Sequence, residues 1–330
     1  MAETIRVGIM GYGNLGKGVE ASLSQMPDMQ LAAVFTRRAP HTISIQTQTA
    51  RVLHVDDAEE HAEQIDVMVL CGGSATDLPE QAPVYASMFN TVDSYDTHAK
   101  ILDYHREVDK VARANGKTCA VGIGWDPGLF SMMRVVGEAV LPHGRDYTFW
   151  GRGVSQGHSD AIRRIKGVKD AVQYTVPVQT AVECVRSGQM PELKTREKHI
   201  RECYVVAEEG EDTERIAYEI RSMPNYFADY DTPISFITED ELIREHKAMP
   251  HGGFVIRCGQ TGMSEMHRQV MEFALRLESN PEFTSSVMVA YARAVYRLNL
   301  QGEIGARTVL DIPLHLLSPR APEELLKSML

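Results

Sequence analysis

The chain has few of the residues and patterns that mark secreted, metal-binding or membrane proteins. Its 330 residues include five scattered cysteines with no CxxC pair, and its twelve histidines form no HExxH pattern. An odd, scattered set of cysteines favours reduced thiols in a cytoplasmic protein over disulfides or a zinc site, and we predict no metal. Apolar runs such as residues 67–71 fall far below the roughly 18 residues of a membrane span. Without a cleavage site near the N-terminus, we expect no secretory signal either.

An excess of basic charge is also lacking. The chain carries 34 Lys and Arg against 45 Asp and Glu, a net charge of −11. Such a chain has no overall field that attracts nucleic acid or an anionic membrane surface, so we expect neither as a partner. A site for an anion would need a local cluster of basic side chains.

The first 124 residues alternate strand-like and helix-like segments. Strand-like segments cover residues 5–10, 31–35, 52–55, 65–71, 91–94 and 118–123. Helix-like segments cover residues 15–26, 56–64, 79–89 and 104–115. This alternation predicts an α/β fold with a Rossmann-type, doubly wound parallel sheet.

The pattern changes after residue 124. Alternating polar and apolar residues at 171–176, 202–206 and 232–237, with a helix at 212–221, predict an antiparallel sheet within a second α+β domain. Near the C-terminus, Val287, Tyr291, Ala294 and Leu298 have helical spacing, and we expect this helix to return to the first domain. We therefore predict a dinucleotide-binding domain of residues 1–124 plus 281–330 and a second domain of residues 125–280.

Residues 11–16, with the sequence GYGNLG, fit the pattern GxGxxG directly after the first strand and before the first helix. In this context Gly11 permits the tight turn, Gly13 lets the backbone approach a pyrophosphate, and Gly16 permits close packing of helix and strand. The N-terminus of the helix would receive the phosphates. The alternative is a glycine-rich turn without a ligand.

The end of the second strand indicates which dinucleotide binds. NAD enzymes usually place Asp or Glu there, whereas this chain has Thr36, Arg37 and Arg38. Guanidinium groups hold a 2′-phosphate, which a carboxylate would repel, so we predict NADP. The alternative is a pair of solvated loop arginines.

The loop at residues 71–76, CGGSAT, follows the fourth strand, and we expect it to contact the cofactor at the carboxyl edge of the sheet. The same residues are also typical of the start of a helix capped by Thr76 or Asp77, and this interpretation is compatible with a contact to the cofactor. Cys71 has no histidine nearby in sequence, which favours packing over thiol chemistry.

Acidic residues follow the next two strands. Asp96 and Asp126 would lie where a nicotinamide projects, and carboxylates there suit an ammonium group better than an anionic keto acid. Trp125 would form an apolar wall, and Pro127 the turn that presents Asp126. The alternatives are a helix cap at Asp96 and an Asx turn at Asp126. Residues 150–160 are too small and polar for a core element and are typical of a binding loop.

Several longer motifs together make the chain resemble the family of NADP-dependent meso-diaminopimelate D-dehydrogenases over nearly its whole length. The motifs are GYGNLG at 11–16, TRR at 36–38, GSATD at 73–77, GWDPG at 124–128, WG at 150–151, SQGHSD at 155–160, MPHGG at 249–253 and NP at 280–281.

The resemblance implies reversible oxidative deamination of the D-centre of meso-diaminopimelate, giving ammonia and L-tetrahydrodipicolinate in the lysine pathway. It also implies a homodimer and a second domain that serves substrate binding and dimerisation. It makes Asp96, Trp125 and Asp126 the candidate catalytic residues at the D-end. Candidate substrate-binding residues are these three with Trp150, Gln156, Gly157, Thr175, Arg201, His251 and Asn280. Candidate cofactor-binding residues are Gly11, Tyr12, Gly13, Asn14, Leu15, Thr36, Arg37, Arg38, Cys71, Gly72, Gly73, Ser74, Ala75, Thr76, Pro127 and Gly128.

Two other functions stay open from the sequence. One is a different NADP-dependent Rossmann oxidoreductase of amino-acid biosynthesis, which would act without releasing ammonia. The other is a non-catalytic NADP-sensing protein, which would bind the nucleotide without turnover.

Overall fold

The computed structural model describes residues 4–330. The strands are β1 (Ile5–Met10), β2 (Met29–Thr36), β3 (Arg51–His54), β4 (Val67–Leu70), β5 (Asn90–Asp93), β6 (Thr118–Ala120), β7 (Gly144–Trp150), β8 (Gly153–Val154), β9 (Val168–Pro177), β10 (His199–Ala207), β11 (Ile234–Phe236), β12 (His251–Thr261), β13 (His267–Leu277) and β14 (Gly305–Arg307). The α-helices are α1 (Asn14–Leu23), α2 (Leu78–Ala86), α3 (Ile101–Ala114), α4 (Leu129–Val140), α5 (Gln156–Arg163), α6 (Gln179–Arg186), α7 (Thr195–Lys198), α8 (Thr213–Ser222), α9 (Glu239–His246), α10 (Asn280–Leu300) and α11 (Pro322–Met329).

The chain divides into two compact units. Unit 1 comprises the chain up to Met132 together with Pro281–Leu330, and unit 2 comprises Met133–Asn280. The first division lies beyond the predicted residue 124 because Leu129 and Met132, at the start of α4, pack against an apolar core of unit 1. Among residues 4–330, no helix combines the length and the apolar character that crossing a bilayer requires.

A seven-stranded parallel sheet forms the centre of unit 1, in the order β14-β6-β5-β4-β1-β2-β3. Successive side chains of a strand enter opposite cores, so Ile9 lies in one and Met10 in the other. Helices α1 and α10 cover the first face, and α2 and α3 cover the second. The predicted doubly wound sheet is confirmed.

Helix α10 is attached to unit 1 by a buried ion pair as well as by apolar packing. The guanidinium of Arg293, whose side chain is 1% exposed, donates to both carboxylate oxygens of Asp28 at 2.7 and 2.8 Å and to the carbonyl of Leu317. Burial tends to raise the pKa of the Asp28 carboxyl. The hydrogen bonds and charge of Arg293 outweigh burial and bring this pKa below its usual value.

Two sheets build unit 2. One has the order β11-β10-β9-β8 and the other β13-β12-β7. The first is antiparallel except at its edge, where β11 runs parallel to β10. The prediction of a purely antiparallel arrangement was therefore wrong for residues 232–237. A three-residue edge strand carries no sequence signal for its direction.

One other local prediction differs from the structure, and one short strand was not predicted. Residues 56–64 form short 3-10 turns instead of an α-helix. The Asp57 carboxylate accepts from the His54 backbone N–H, and such local side-chain bonds compete with helical ones. The sequence also gave no sign of β14, whose three residues pair with β6 far away in the chain.

We expect Asp28→Asn to lower the free energy of unfolding by about 3 kcal/mol, because Arg293 would be left buried without its counter-charge. A carboxylate with a depressed native pKa stabilises the fold only while it is ionised. The difference from wild type should therefore shrink as the pH falls below about 4. Urea unfolding across this pH range measures both effects.

The matched control is Asp103→Asn, which removes the exposed ion pair with Arg106 on α3. It should cost less than about 1 kcal/mol. Equal losses in the two variants would contradict a structural role for the buried pair.

Candidate active site

The turn between β1 and α1 has the geometry of a phosphate-binding loop. Gly11 adopts φ +94° and donates its N–H to the Phe35 carbonyl at 2.8 Å. A Cβ on Gly16 would lie 2.2 Å from the Gly11 carbonyl oxygen, whereas the space beside Gly13 is open. Helix α1 begins after Gly13, which offers no side-chain cap. The turn therefore leaves room for an anion at the start of the helix.

A cavity of about 320 Å³ lies over this turn, within the size range of small-molecule sites. Nine predicted cofactor residues line it: Gly11, Tyr12, Gly13, Thr36, Arg37, Arg38, Cys71, Gly72 and Gly73. Met10, Val55, Asp77 and Gln81 line it as well, and sequence reasoning did not assign them. The other seven predicted cofactor residues do not line this cavity: Asn14, Leu15, Ser74, Ala75, Thr76, Pro127 and Gly128.

The two arginines after β2 have different partners. The Arg37 guanidinium is exposed and lies 3.1 Å from the Asp77 carboxylate, so it stands beside the cavity. The Arg38 guanidinium donates to the Tyr12 carbonyl at 2.7 Å and so supports the glycine turn. Asp77 occupies the N-cap position of α2 without capping it, because its side chain instead accepts from the Gly73 N–H at 2.8 Å.

A buried carboxylate on α1 holds the cavity wall. Glu20 is 4% exposed and accepts hydrogen bonds from the Tyr12 hydroxyl and from the backbone N–H groups of Gln46 and Thr47. Burial tends to raise the pKa of Glu20, but these hydrogen bonds outweigh burial and lower it. Burial and the neighbouring Glu20 carboxylate raise the pKa of Tyr12. The sequence signal for a buried Glu20 was its helical spacing from Gly16 and Leu23, which places this charged residue on the buried side of α1.

The segment carrying Asp96 is connected to the loop after β4. Asp96 is exposed, and its backbone N–H donates to the Ser74 hydroxyl at 2.8 Å. The helical turn that follows has Thr97 at its N-cap, so a capping role for Asp96 is wrong.

The segment carrying Asp126 is a tight turn that leads into α4. Asp126 is half-buried, and the buried Trp125 ring meets Phe130 edge-on with centroids 5.2 Å apart. Gly128 has φ +132°, and a Cβ there would lie 1.7 Å from the Gly124 carbonyl oxygen. Only glycine therefore permits this turn, in which Asp126 lies at an intermediate depth.

In unit 2, strand pairing and local contacts bring several predicted substrate-binding residues together. Arg201 on β10 pairs with Thr175 on β9, which in turn pairs with Gly153 on β8. The His251 ring lies against Gly153, since a Cβ there would come within 2.5 Å of Nδ1. Asn280 donates its backbone N–H to the carbonyl of Met249, two residues before His251.

Arg201 is a buried cation with no acidic partner among residues 4–330. It is 7% exposed, donates through Nη1 to the Thr175 hydroxyl, and lies 4.1 Å from the centroid of the Tyr230 ring. Its Nε is buried without a hydrogen-bond partner. Because a buried charge is costly when uncompensated, this site suits an anionic ligand.

Two histidines near Arg201 remain uncharged at neutral pH. Burial and, to a lesser degree, the Arg201 charge lower the pKa of His158 to about 4 and that of His199 to about 3. The Nε2 atom of His199 accepts from the backbone N–H of Trp150 at 2.9 Å, and the centroids of their rings lie 5.2 Å apart, which positions Trp150. Gln156 and Gly157 are exposed at the start of α5. Sequence reasoning had not singled out Tyr230 or His199.

A unit with a parallel sheet and a glycine-turn cavity, in one chain with a second unit that carries a polar site, is the architecture of a nucleotide-dependent oxidoreductase. Residues 124–279 match the model of the diaminopimelic acid dehydrogenase C-terminal domain. The meso-diaminopimelate D-dehydrogenase of Ureibacillus thermosphaericus is 61% identical over 326 residues, covering 99% of both chains.

Solved structures agree with these relatives. The DAP dehydrogenase of Corynebacterium glutamicum in complex with DAP is 45% identical, with TM-score 0.91 over 99% of this chain and 99% of that one. An engineered D-amino acid dehydrogenase bound to NADP+ is 44% identical, with TM-score 0.86 over 99% of this chain and 100% of that one. The chain belongs to the meso-diaminopimelate D-dehydrogenase family, whose members are nicotinamide-dependent amino-acid dehydrogenases.

We expect Arg201→Met to raise the free energy of unfolding of the ligand-free protein by about 1 kcal/mol, because it removes a buried cation that no carboxylate neutralises. Urea unfolding without ligands measures this change. The control is Arg257→Met: Arg257 is equally buried but is paired with Asp146 at 2.8 Å. The control should lose about 3 kcal/mol. A similar loss in both variants would contradict the view that Arg201 is held for a ligand.

Proposed function

We propose that the protein catalyses the reversible, NADP-dependent oxidative deamination of the D-centre of meso-2,6-diaminopimelate. The products are ammonia and L-2-amino-6-oxopimelate, which cyclises to L-tetrahydrodipicolinate. The observation that carries the proposal is Arg201, a buried cation without an acidic partner among residues 4–330, in a chain whose relative from Corynebacterium glutamicum was solved in complex with DAP. A compound with carboxylates at both ends supplies the missing negative charge.

The choice of NADP rests on Arg37 and Arg38. Both guanidinium groups are exposed at the end of β2, where an NAD enzyme would carry an acid. An exposed, flexible Arg37 would exchange Asp77 for the 2′-phosphate dianion. When bound, NADP+ supplies the acceptor for the hydride of the substrate carbon. The NADP+ held by the engineered D-amino acid dehydrogenase supports this choice.

At the D-end, Asp96 and Asp126 would bind the ammonium group. Loss of a hydride requires a neutral amine, so one of these carboxylates would take a proton from it, directly or through water. Trp125 would exclude water from one side, since its ring is already buried against Phe130. The choice between the two acids stays open.

At the distal L-end, Arg201 would grip a carboxylate, with Thr175, His251 and Asn280 completing the site. Trp150, Gln156 and Gly157 would line the middle of the substrate. Binding energy used at this remote end would align the reacting carbon. Only one end of a meso compound satisfies the distal site while the other reacts, which accounts for the selectivity for the D-centre.

The remaining implications of the resemblance stay predictions. They are a homodimer, a part for unit 2 in dimerisation, a cytoplasmic location and a role in lysine biosynthesis. Light scattering of the purified protein tests the first of them.

The decisive assay follows NADPH absorbance at alkaline pH with meso-, L,L- and D,D-diaminopimelate as separate substrates. Turnover with the meso compound and release of ammonia would support the proposal. Reduction of another biosynthetic substrate without ammonia would favour a different oxidoreductase. NADP binding without any turnover would favour a nucleotide sensor.

We expect Arg37→Ala to raise the KM for NADP+ at least about tenfold and to change the KM for NAD+ little, since NAD+ has no 2′-phosphate. Arg38→Ala should weaken the binding of both cofactors, because it also removes the hydrogen bond to the Tyr12 carbonyl that supports the glycine turn. Steady-state kinetics with each cofactor separates the two effects. Arg51→Ala, an exposed position at the amino end of β3, is the control. Equal losses for both cofactors in Arg37→Ala would contradict the assignment of the 2′-phosphate.

We expect Asp126→Asn to lower kcat about 100-fold or more, because a carboxamide neither balances the charge of the ammonium group nor accepts a proton from it. Binding of NADP+ should change less than twofold, since Asp126 does not line the glycine-turn cavity. Turnover and fluorescence titration measure the two quantities. Asp96→Asn in parallel identifies which acid matters more, and an unchanged kcat for Asp126→Asn would exclude it as the proton acceptor.

A further inference from the structure

Between the segments that carry Asp96 and Asp126 lies a third acid, Asp93, for which the mechanism above has no use. It is the last residue of β5, is 0% exposed, and makes no ion pair with any residue among 4–330. Burial raises the pKa of Asp93 to about 6, although three hydrogen bonds oppose the rise. An isolated buried carboxylate is costly, so its retention calls for a reason.

The carboxylate joins the two acid-bearing segments directly. Its Oδ1 accepts from the backbone N–H of Tyr95 at 3.0 Å and from that of Gly122 at 3.1 Å. The Asp93 carbonyl accepts the N–H of Ile123 at 2.8 Å. Tyr95 immediately precedes Asp96, and Gly122 and Ile123 begin the stretch that continues to Asp126.

Further contacts fix the orientation of the Asp93 carboxylate. The second oxygen, Oδ2, accepts from the Tyr104 hydroxyl on α3 at 2.8 Å. The Tyr104 ring stacks on Tyr95 with centroids 3.9 Å apart and planes 7° apart. Gly122 adopts φ +67°, and a Cβ there would lie 3.3 Å from the Tyr95 carbonyl oxygen. The two segments are therefore closely packed around one carboxylate.

We propose that Asp93 is a positioning residue for the deamination: through Oδ1 it sets the relative positions of the segments carrying Asp96 and Asp126. The inference rests on the proposed function. The inference attributes the effect of Asp93 on turnover to the position of its acceptor oxygen and not to the charge of its carboxylate. The proposal therefore predicts different values of kcat for two substitutions, one that conserves the size of the side chain and one that conserves its charge.

Asp93→Asn keeps an acceptor oxygen at the same place and removes the charge. Its amide N–H₂ would face the Tyr104 hydroxyl, which accepts as well as donates. We expect kcat within about fivefold of wild type. Asp93→Glu keeps the charge but moves the oxygens by about 1.5 Å, the length of one carbon–carbon bond. We expect kcat to fall about 100-fold, as displacements of this size do.

The experiment measures kcat with meso-diaminopimelate and, by fluorescence titration, the Kd for NADP+ in wild type and both variants. The Kd should stay within twofold, because Asp93 does not line the glycine-turn cavity. A purely structural role would instead weaken cofactor binding and turnover together. If Asp93→Glu does not fold, Asp93→Ala takes its place with the same expectation.

A large loss of kcat in Asp93→Asn would overturn the inference, because the charge would then be what matters. Wild-type kcat in Asp93→Glu, or parallel losses of kcat and NADP+ affinity, would overturn it too. These outcomes differ from failure of the proposed function, in which the wild-type protein itself would not turn over meso-diaminopimelate.

Discussion

Parallel pairing of the central strands makes their carboxyl ends meet at one edge of the sheet, and the candidate site of unit 1 depends on this constraint. Backbone hydrogen bonds continue the pairing into the loops: Gly11 donates to Phe35, Cys71 to Met10 and Ile123 to Asp93, each at 2.8 Å. Loops distant in sequence are therefore held side by side. The glycine turn, the arginine pair and residues 71–73 after β4 line one cavity for this reason.

Buried arginines have two different environments in this chain. Arg293 and Arg257 each face a carboxylate, so their charges are neutralised within the fold. Arg201 is comparably buried, but its guanidinium contacts a hydroxyl and an aromatic ring and forms no ion pair with a carboxylate among residues 4–330. The same side chain is neutralised within the fold where it is paired, and under the proposed function it would bind a carboxylate where it is not.

Local sequence patterns predicted the elements that carry strong local signals. The strands around β1, β4 and β9 were found because their apolar residues are continuous or alternate. The short elements β11 and β14 depend on partners elsewhere in the chain, and residues 56–64 depend on side-chain bonds that override helix propensity. Glu20 was not predicted because a Glu is usually on the surface. Tyr230 was not predicted because its contact with Arg201 joins residues that are far apart in the chain.

Sequence alone determined the chemistry of individual segments: a glycine turn that admits phosphate, two arginines in place of an acid, and acids after two neighbouring strands. These properties depend on residue types within a few positions of each other. Tertiary structure alone decided which charges are compensated, because burial and strand register join residues that are far apart in the chain. The isolation of Arg201, the contact of Glu20 with Gln46 and Thr47, and the bonds of Asp93 to Gly122 arise only in this way.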